Sequence, residues 1–279
     1  MKQQLTVVGL EILNSAGHPL GRHSQTSCGV AEAVGLTTLV MATSLSAHAA
    51  KLVATTECTA LPSHTQLRDA LVAARKADNA GFNLDMWGAV VARSGTVCAV
   101  AFTGKSVGDQ WPGSRAISAQ KAYTANAFSL PGLALATANL YSAVQPGGSL
   151  FGLQESNPVN PAVALQGPVA AWGQPNDPLV GQRMGGINVF GGGLALYNEQ
   201  GALLGAVGVS GDSSCADHAI AWRTRNNLKL DYVPSGVGPG GVDQIAYQGD
   251  WKQPHCIKAE LEDTVVRTLP STRSKQASR

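Results

Sequence analysis

The chain predicts a mixed α/β (α+β) domain, and three observations carry that reading. A helix opening on a capping box precedes two β-rich apolar runs that flank a glycine turn. A second pair of apolar runs, again joined through a glycine, comes later. That pair leads directly into another helix, so helices and strands are interleaved along one chain. The 279 residues, 44% hydrophobic and 14% charged, suffice for one sizeable core plus extensions. Lys+Arg 20 against Asp+Glu 18 gives a net charge of +2 without a dense basic block. A nucleic-acid partner or an anionic-membrane face is therefore not expected. The 32 glycines and 14 prolines are scattered without a period, as in a turn-rich globular chain, and no internal repeat is present.

Residues 1–50 read as a leader. From Ala33 to Ala50 there is no Asp, Glu, Lys or Arg, and the apolar run Ala33–Ala42 ends near Ala47-His48-Ala49, a small-residue pattern that suits signal peptidase. Cleavage after Ala49 or Ala50 is expected, giving a periplasmic or secreted protein with no stable membrane span after cleavage. Glu32 and a long, cation-poor approach with only Lys2 and Arg22 depart from the usual signal. The alternative is a buried, alanine-rich helix. Removing the leader removes Cys28 and leaves Cys58, Cys98, Cys215 and Cys256, an even set that suggests two disulfides in an oxidising compartment. Of the three pairings, Cys58–Cys98 and Cys215–Cys256 are favoured, because each ties a terminal extension to a neighbouring core element. No CxxC occurs, which disfavours a zinc ribbon, and no CxxCH, which disfavours covalent haem attachment.

In the mature chain, Ser63-His64-Thr65-Gln66 has the capping-box form, and Leu67, Ala70, Leu71, Ala74 and Ala77 follow at helical spacing up to Gly81. Met86–Ala92 and Thr96–Phe102 flank Arg93-Ser94-Gly95 as a hairpin. Ser114 is placed to cap a helix through Ile117, Lys121, Tyr123 and Phe128, whose alanines allow close approach to a sheet or a partner subunit. A further helix is expected from Leu133 to Val144, ended by Pro146-Gly147-Gly148. Residues 122–182 carry no Lys or Arg and seven prolines. They are too apolar for a solvated linker and too broken for one helix, so they form an ordered excursion over a ligand, a subunit contact or the domain's own core.

Two more strands are expected, Gly185–Phe190 leading into Gly193–Tyr197 and then Leu203–Ser210. Gly211-Asp212-Ser213-Ser214 follows, with Ser214 and Asp217 as a second capping-box candidate. Strand, glycine turn and helix N-terminus together make Ser210, Gly211 and Asp212 candidates for an anion site. Neither G-x-G-x-x-G nor GKS/GKT is present, which disfavours dinucleotide and P-loop readings. Residues 259–279 turn polar and are expected to be a flexible tail.

The first helix, the hairpin around Ser94-Gly95, the segment Trp111–Ala122, the later Gly-Gly strand and the Gly-Val-Ser-Gly turn at 208–211 resemble the GlcG/HbpS-like haem-binding (haem-degrading domain) family over roughly residues 60–232. Trp111-Pro112-Gly113-Ser114-Arg115, Gln145–Gln154 and Ser214-Cys215-Ala216-Asp217-His218 resemble its longer exported subgroup. The resemblance implies a profilin- or PAS-like fold with a central antiparallel sheet flanked by helices, assembly into homo-oligomers, and non-covalent binding of haem or a related tetrapyrrole. It sets a domain at 51–258 with an insert at about 145–181, which compact members lack.

Against that background His218 is a candidate ligand of haem iron, with its second nitrogen held by a neighbour, or else a histidine hydrogen-bonded within its helix. Arg115 and Lys121 are candidates to pair with haem propionates, or are structural salt bridges. Tyr123 is an axial ligand, a stacking ring or a packing residue. His64 and His255 read as peripheral. No G-x-S-x-G elbow surrounds Ser210, so a serine hydrolase is disfavoured. The leading expectation is an exported, oligomeric haem-binding protein for sequestration or sensing. A haem-degrading enzyme is the alternative, and a structural or sensory oligomer with another small ligand or a protein partner is a third.

Overall fold

The computed structural model describes residues 56–273; the leader, its cleavage site and Cys28 lie outside the described residues. Helix α1 (His64–Arg75) starts at the expected capping box: Gln66 N–H donates to Ser63 Oγ, and Ser63 N–H donates to the Gln66 carboxamide. Its buried stripe is Leu67, Ala70, Leu71 and Ala74. Strands β1 (Trp87–Ala92) and β2 (Val97–Phe102) form the expected hairpin, with Gly95 at φ +83° in the turn. Strands β3 (Gly193–Tyr197) and β4 (Leu203–Ser210) complete an antiparallel sheet of order β2-β1-β4-β3. All six residues of β1 are buried, because this inner strand has covered faces on both sides.

Helix α2 (Ser114–Phe128) covers one face. A Cβ on Gly208 would sit 1.9 Å from the Ser118 carbonyl oxygen, and one on Gly193 2.3 Å from that of Lys121. Alanines on the helix and glycines on the strands thus bring the two backbones into contact, and Ala119, Ala122 and Ala125 pack on Trp87, Ala89 and Val91. The other face is covered by α1 and by α3 (Ser214–Asn227), whose Ile220 and Trp222 join Leu67, Leu71, Val90 and Val207. The fold class is therefore the expected α+β sheet flanked by helices, and both favoured disulfides, Cys58–Cys98 and Cys215–Cys256, are formed.

Several local expectations are corrected. The expected helix over Leu133–Val144 is two short 3₁₀ turns, Thr137–Leu140 and Ser142–Val144. Ser129 Oγ and Asn139 Oδ1 accept from the amides of Leu135 and Ala136, and these side-chain bonds compete with a continuous helix. Gly185–Phe190 lies outside the sheet; the Asn188 amide donates to Thr124 Oγ1 of α2 instead of to a strand. The N-caps of α2 and α3 are Gly113 and Ser213, one residue earlier than read. The proline-rich excursion covers the domain's own core, since its Ala164 and Leu179, with Met184 just beyond it, pack on Trp87, Val100 and the alanines of α2.

The expected flexible tail begins instead with α4 (Ala259–Thr268), where Glu262, Val265 and Leu269 are buried. The stripe escapes a hydrophobicity reading because one of its members is a carboxylate.

Candidate functional site

Two of the residues singled out on α2, Arg115 and Lys121, form separate buried ion pairs. Arg115, 1% exposed, donates Nε to Asp177 Oδ2 at 2.9 Å and Nη1 to the Ala164 carbonyl at 2.7 Å, with its guanidinium 4.4 Å from the centre of Trp172. It pins the excursion to α2. Lys121 Nζ lies 2.6 Å from Asp217 Oδ2 and 3.3 Å from the Val209 carbonyl, tying α2 to the start of α3. Burial lowers the Lys121 pKa and raises that of Asp217, each countered by the other partner's charge. Both cations already hold carboxylates of this chain, which is the salt-bridge alternative and leaves neither facing a haem propionate.

The turn at Ser210, Gly211 and Asp212 is likewise filled from within. The Asp212 amide donates to Asp217 Oδ1 at 2.9 Å, Ser213 N–H donates to Asp212 Oδ1, Ala216 N–H to Ser213 Oγ, and Cys215 N–H to Cys256 Sγ at 3.1 Å. Asp212 also accepts from the amides of Phe82 and Leu84. The free amides on which an anion site depends are thus committed to the chain's own atoms.

His218 is wholly buried, and its Nε2 accepts from the Ile245 amide at 3.1 Å. That bond places the ring proton on Nδ1, which has no hydrogen-bond partner. Burial pushes the imidazole pKa down to about 3, so the ring is neutral at ordinary pH. The ring nitrogen that carries the lone pair a metal needs is occupied by a backbone amide. Tyr123 is half-buried and packs with Leu135, Leu140 and Val189. A third buried pair escaped sequence reasoning: Arg225 donates to both Asp243 oxygens at 2.6 and 2.8 Å and to the Ala195 carbonyl. No spacing signal marks a partner 18 residues away in an irregular segment.

Two histidines read as peripheral are the ones that stand beside cavities. His64 is half-buried at the start of α1, and its Nε2 lies 2.8 Å from the Gly173 carbonyl oxygen. An imidazole N–H donating there leaves Nδ1 as an unprotonated nitrogen with no hydrogen bond among the described residues. The adjoining groove, about 540 Å³, is lined by Leu61, Pro62, Pro175 and Val180 and by the Cys58–Cys98 disulfide. His255 stacks on Tyr247 with ring centres 3.9 Å apart, places Nε2 3.0 Å from Asp263 Oδ1, and lines a cleft of about 530 Å³ with Tyr141 and Lys252.

The family described as haem degrading protein HbpS-like matches residues 63–225, more than half of the chain. The chain belongs to this family. The HbpS-like segment contains the whole sheet, α1 and α2, and it ends within α3. His64 and His218 are its only histidines, whereas His255 and its cleft lie beyond it. The chain is also similar to two solved structures at 25% identity. Klebsiella pneumoniae protein ORFY, of family DUF336, aligns over 58% of this chain and 87% of its own with a TM-score of 0.40. A PduOC:haem complex aligns over 61% of this chain and 95% of its own with a TM-score of 0.42. No curated protein matches the chain significantly.

Proposed function

We propose that this protein binds haem non-covalently, with His64 as the iron ligand in the groove between α1 and the proline-rich excursion. The observation that carries the reading is that, of the two histidines in the HbpS-like segment, only His64 offers an unoccupied ring nitrogen beside a cavity. The axial role expected of His218 passes to it. The residues present suit the group: an imidazole oriented by a backbone carbonyl is the usual partner arrangement for a metal-bound histidine, and the groove walls are mostly apolar. Bound haem supplies a redox-active iron; the chain's part is to hold it and to limit water at its face.

The family's description as haem-degrading favours a second reading, in which the same groove supports oxidative breakdown of the macrocycle. The two disulfides support an exported protein, and large apolar side chains left on the surface, such as Trp111 and Phe151, support a homo-oligomer.

Titrating purified mature protein with haemin and following the Soret band tests binding. Saturation at micromolar haemin, lost in His64→Ala and kept in His218→Gln, is expected. Absence of saturable binding overturns the reading. Bleaching of the loaded protein with a reductant or peroxide, slowed in His64→Ala, distinguishes breakdown from storage.

A further inference from the structure

The two disulfides share one feature, a backbone carbonyl facing a sulfur, and differ in another: among the described residues, hydrogen-bond donors converge on Cys215–Cys256 alone. Cys58–Cys98 has no N–H or O–H donor on either sulfur among the described residues; Cys98 Sγ faces the Thr96 carbonyl oxygen at 3.6 Å, a contact that repels a thiolate. Cys215–Cys256 sits at the N-terminus of α3, and donors converge on it. Cys256 Sγ accepts from the Cys215 amide at 3.1 Å, from the Ser214 hydroxyl at 3.4 Å and from Gln253 Nε2 at 3.6 Å. Gln253 Nε2 also lies 3.5 Å from Cys215 Sγ. Cys256 is exposed, whereas Cys215 is 4% exposed. Amide donors at a helix N-terminus favour the thiolate over the thiol, and they act here against the Pro254 carbonyl oxygen, 3.7 Å from Cys215 Sγ and 4.0 Å from Cys256 Sγ, and the Glu262 carboxylate within 4.8 Å of both sulfurs.

The segment that carries Cys256 is also held without its covalent bond. Gln253, 1% exposed, accepts from the Gly191 amide at 2.7 Å, and its own backbone amide donates to the Ala246 carbonyl. The buried Glu262 carboxylate accepts from the amides of Cys256, Ile257 and Lys258. Opening the bond therefore leaves both sulfurs in place and within reach of each other. A purely structural staple has no need of that second set of anchors.

From these observations we propose that Cys215–Cys256 is a reversible thiol–disulfide exchange site whose substrate is an external dithiol. The thiolate of the dithiol bonds to the exposed Cys256 Sγ, the S–S bond breaks, and Cys215 Sγ leaves with the electron pair beside the Gln253 carboxamide N–H. The second thiol of the reductant, deprotonated, then attacks its own sulfur in the mixed disulfide and releases Cys256 as a thiolate held by its three donors. The dithiol is oxidised to a disulfide, the protein is reduced by two electrons, and the two thiol protons pass to Cys215 and to solvent. The reverse steps re-form the bond.

Full mature protein, equilibrated at neutral pH in buffers of varied reduced-to-oxidised dithiothreitol ratio, is trapped by alkylation and mapped by peptide mass, with near-ultraviolet circular dichroism as the measure of packing. Cys215–Cys256 is expected to open at a ratio at least about tenfold lower than Cys58–Cys98, with the dichroism unchanged. Equal midpoints, the opposite order, or opening only when the dichroism collapses overturns the proposal. In the reduced protein, Cys256 alkylation is expected to reach half its maximal rate below the ordinary cysteine value of about 8.5, and Ser214→Ala to move that midpoint upward. A midpoint at or above the ordinary value in both proteins counts against the site.

Discussion

The N-termini of α1 and α3 make an instructive pair. Both helices start behind a serine cap, Ser63 and Ser213, both carry a histidine in their first turns, and both lie near a disulfide. At α3 the turn amides find partners within the chain, and His218 ends in the core with Nε2 on the Ile245 amide and Nδ1 unpartnered but facing no cavity. At α1 the ring of His64 is fixed on one side by the Gly173 carbonyl and left open on the other, beside a groove. A dense polar motif is therefore poor evidence for a ligand site. What distinguishes a site is one oriented, unsatisfied atom next to space a ligand can fill.

The comparison breaks first at the ion pair. Replacing Asp217 by Ala leaves Lys121 buried without its carboxylate, and a loss of about 3–5 kcal/mol is expected in urea unfolding. A loss below about 1 kcal/mol shows that the α3 network is not structural.

A second effect appears as a pH dependence. The folded pKa of His218 is lowered from 6.5 to about 3 by burial, so its contribution is present above pH 6.5 and is lost as pH falls toward 3. Asp217, shifted upward by burial, titrates in part of the same range with the opposite sign. The difference between wild type and His218→Gln isolates the histidine. Wild type is expected to lose about 3 kcal/mol more than the variant between pH 6.5 and pH 4. Parallel stability curves refute a buried neutral imidazole.

On the α1 side, His64→Ala is expected to weaken haemin binding at least about tenfold, equivalent to about 1.4 kcal/mol, without changing the dichroism. Unchanged affinity removes His64 from the site. The smallest expected effect is Ser63→Ala, which opens the capping box and costs about 1 kcal/mol of thermal stability. The same change is expected to weaken haemin binding slightly, because His64 is the first residue of the helix it caps.

Much of the fold was legible because local patterns and tertiary packing agree. Ser63 with Gln66, the glycine turn at Gly95 and the apolar runs of β1, β2, β3 and β4 each carry their structure in adjacent residues. The close packing of α2 was legible in part: its alanines allow close approach to a sheet or a partner subunit, and the glycines of β3 and β4 show that the sheet is what they meet. Where side-chain bonds to the backbone decide, the reading stopped. Leu133–Val144 has helical composition but is broken by Ser129 and Asn139, and α4 hides its buried face behind Glu262.

By itself the sequence determined the α+β class, the first helix, the four strands of the sheet and the resemblance to a family, and it favoured the cysteine pairing that forms, because these depend on local patterning and spacing. Only the tertiary structure decided that Arg115 and Lys121 hold Asp177 and Asp217, that His218 faces the Ile245 amide, and that His64 keeps a nitrogen open. The physical reason is that a polar side chain's role is set by which of its lone pairs and protons remain unpaired after folding, and the partners come from elements far apart along the chain.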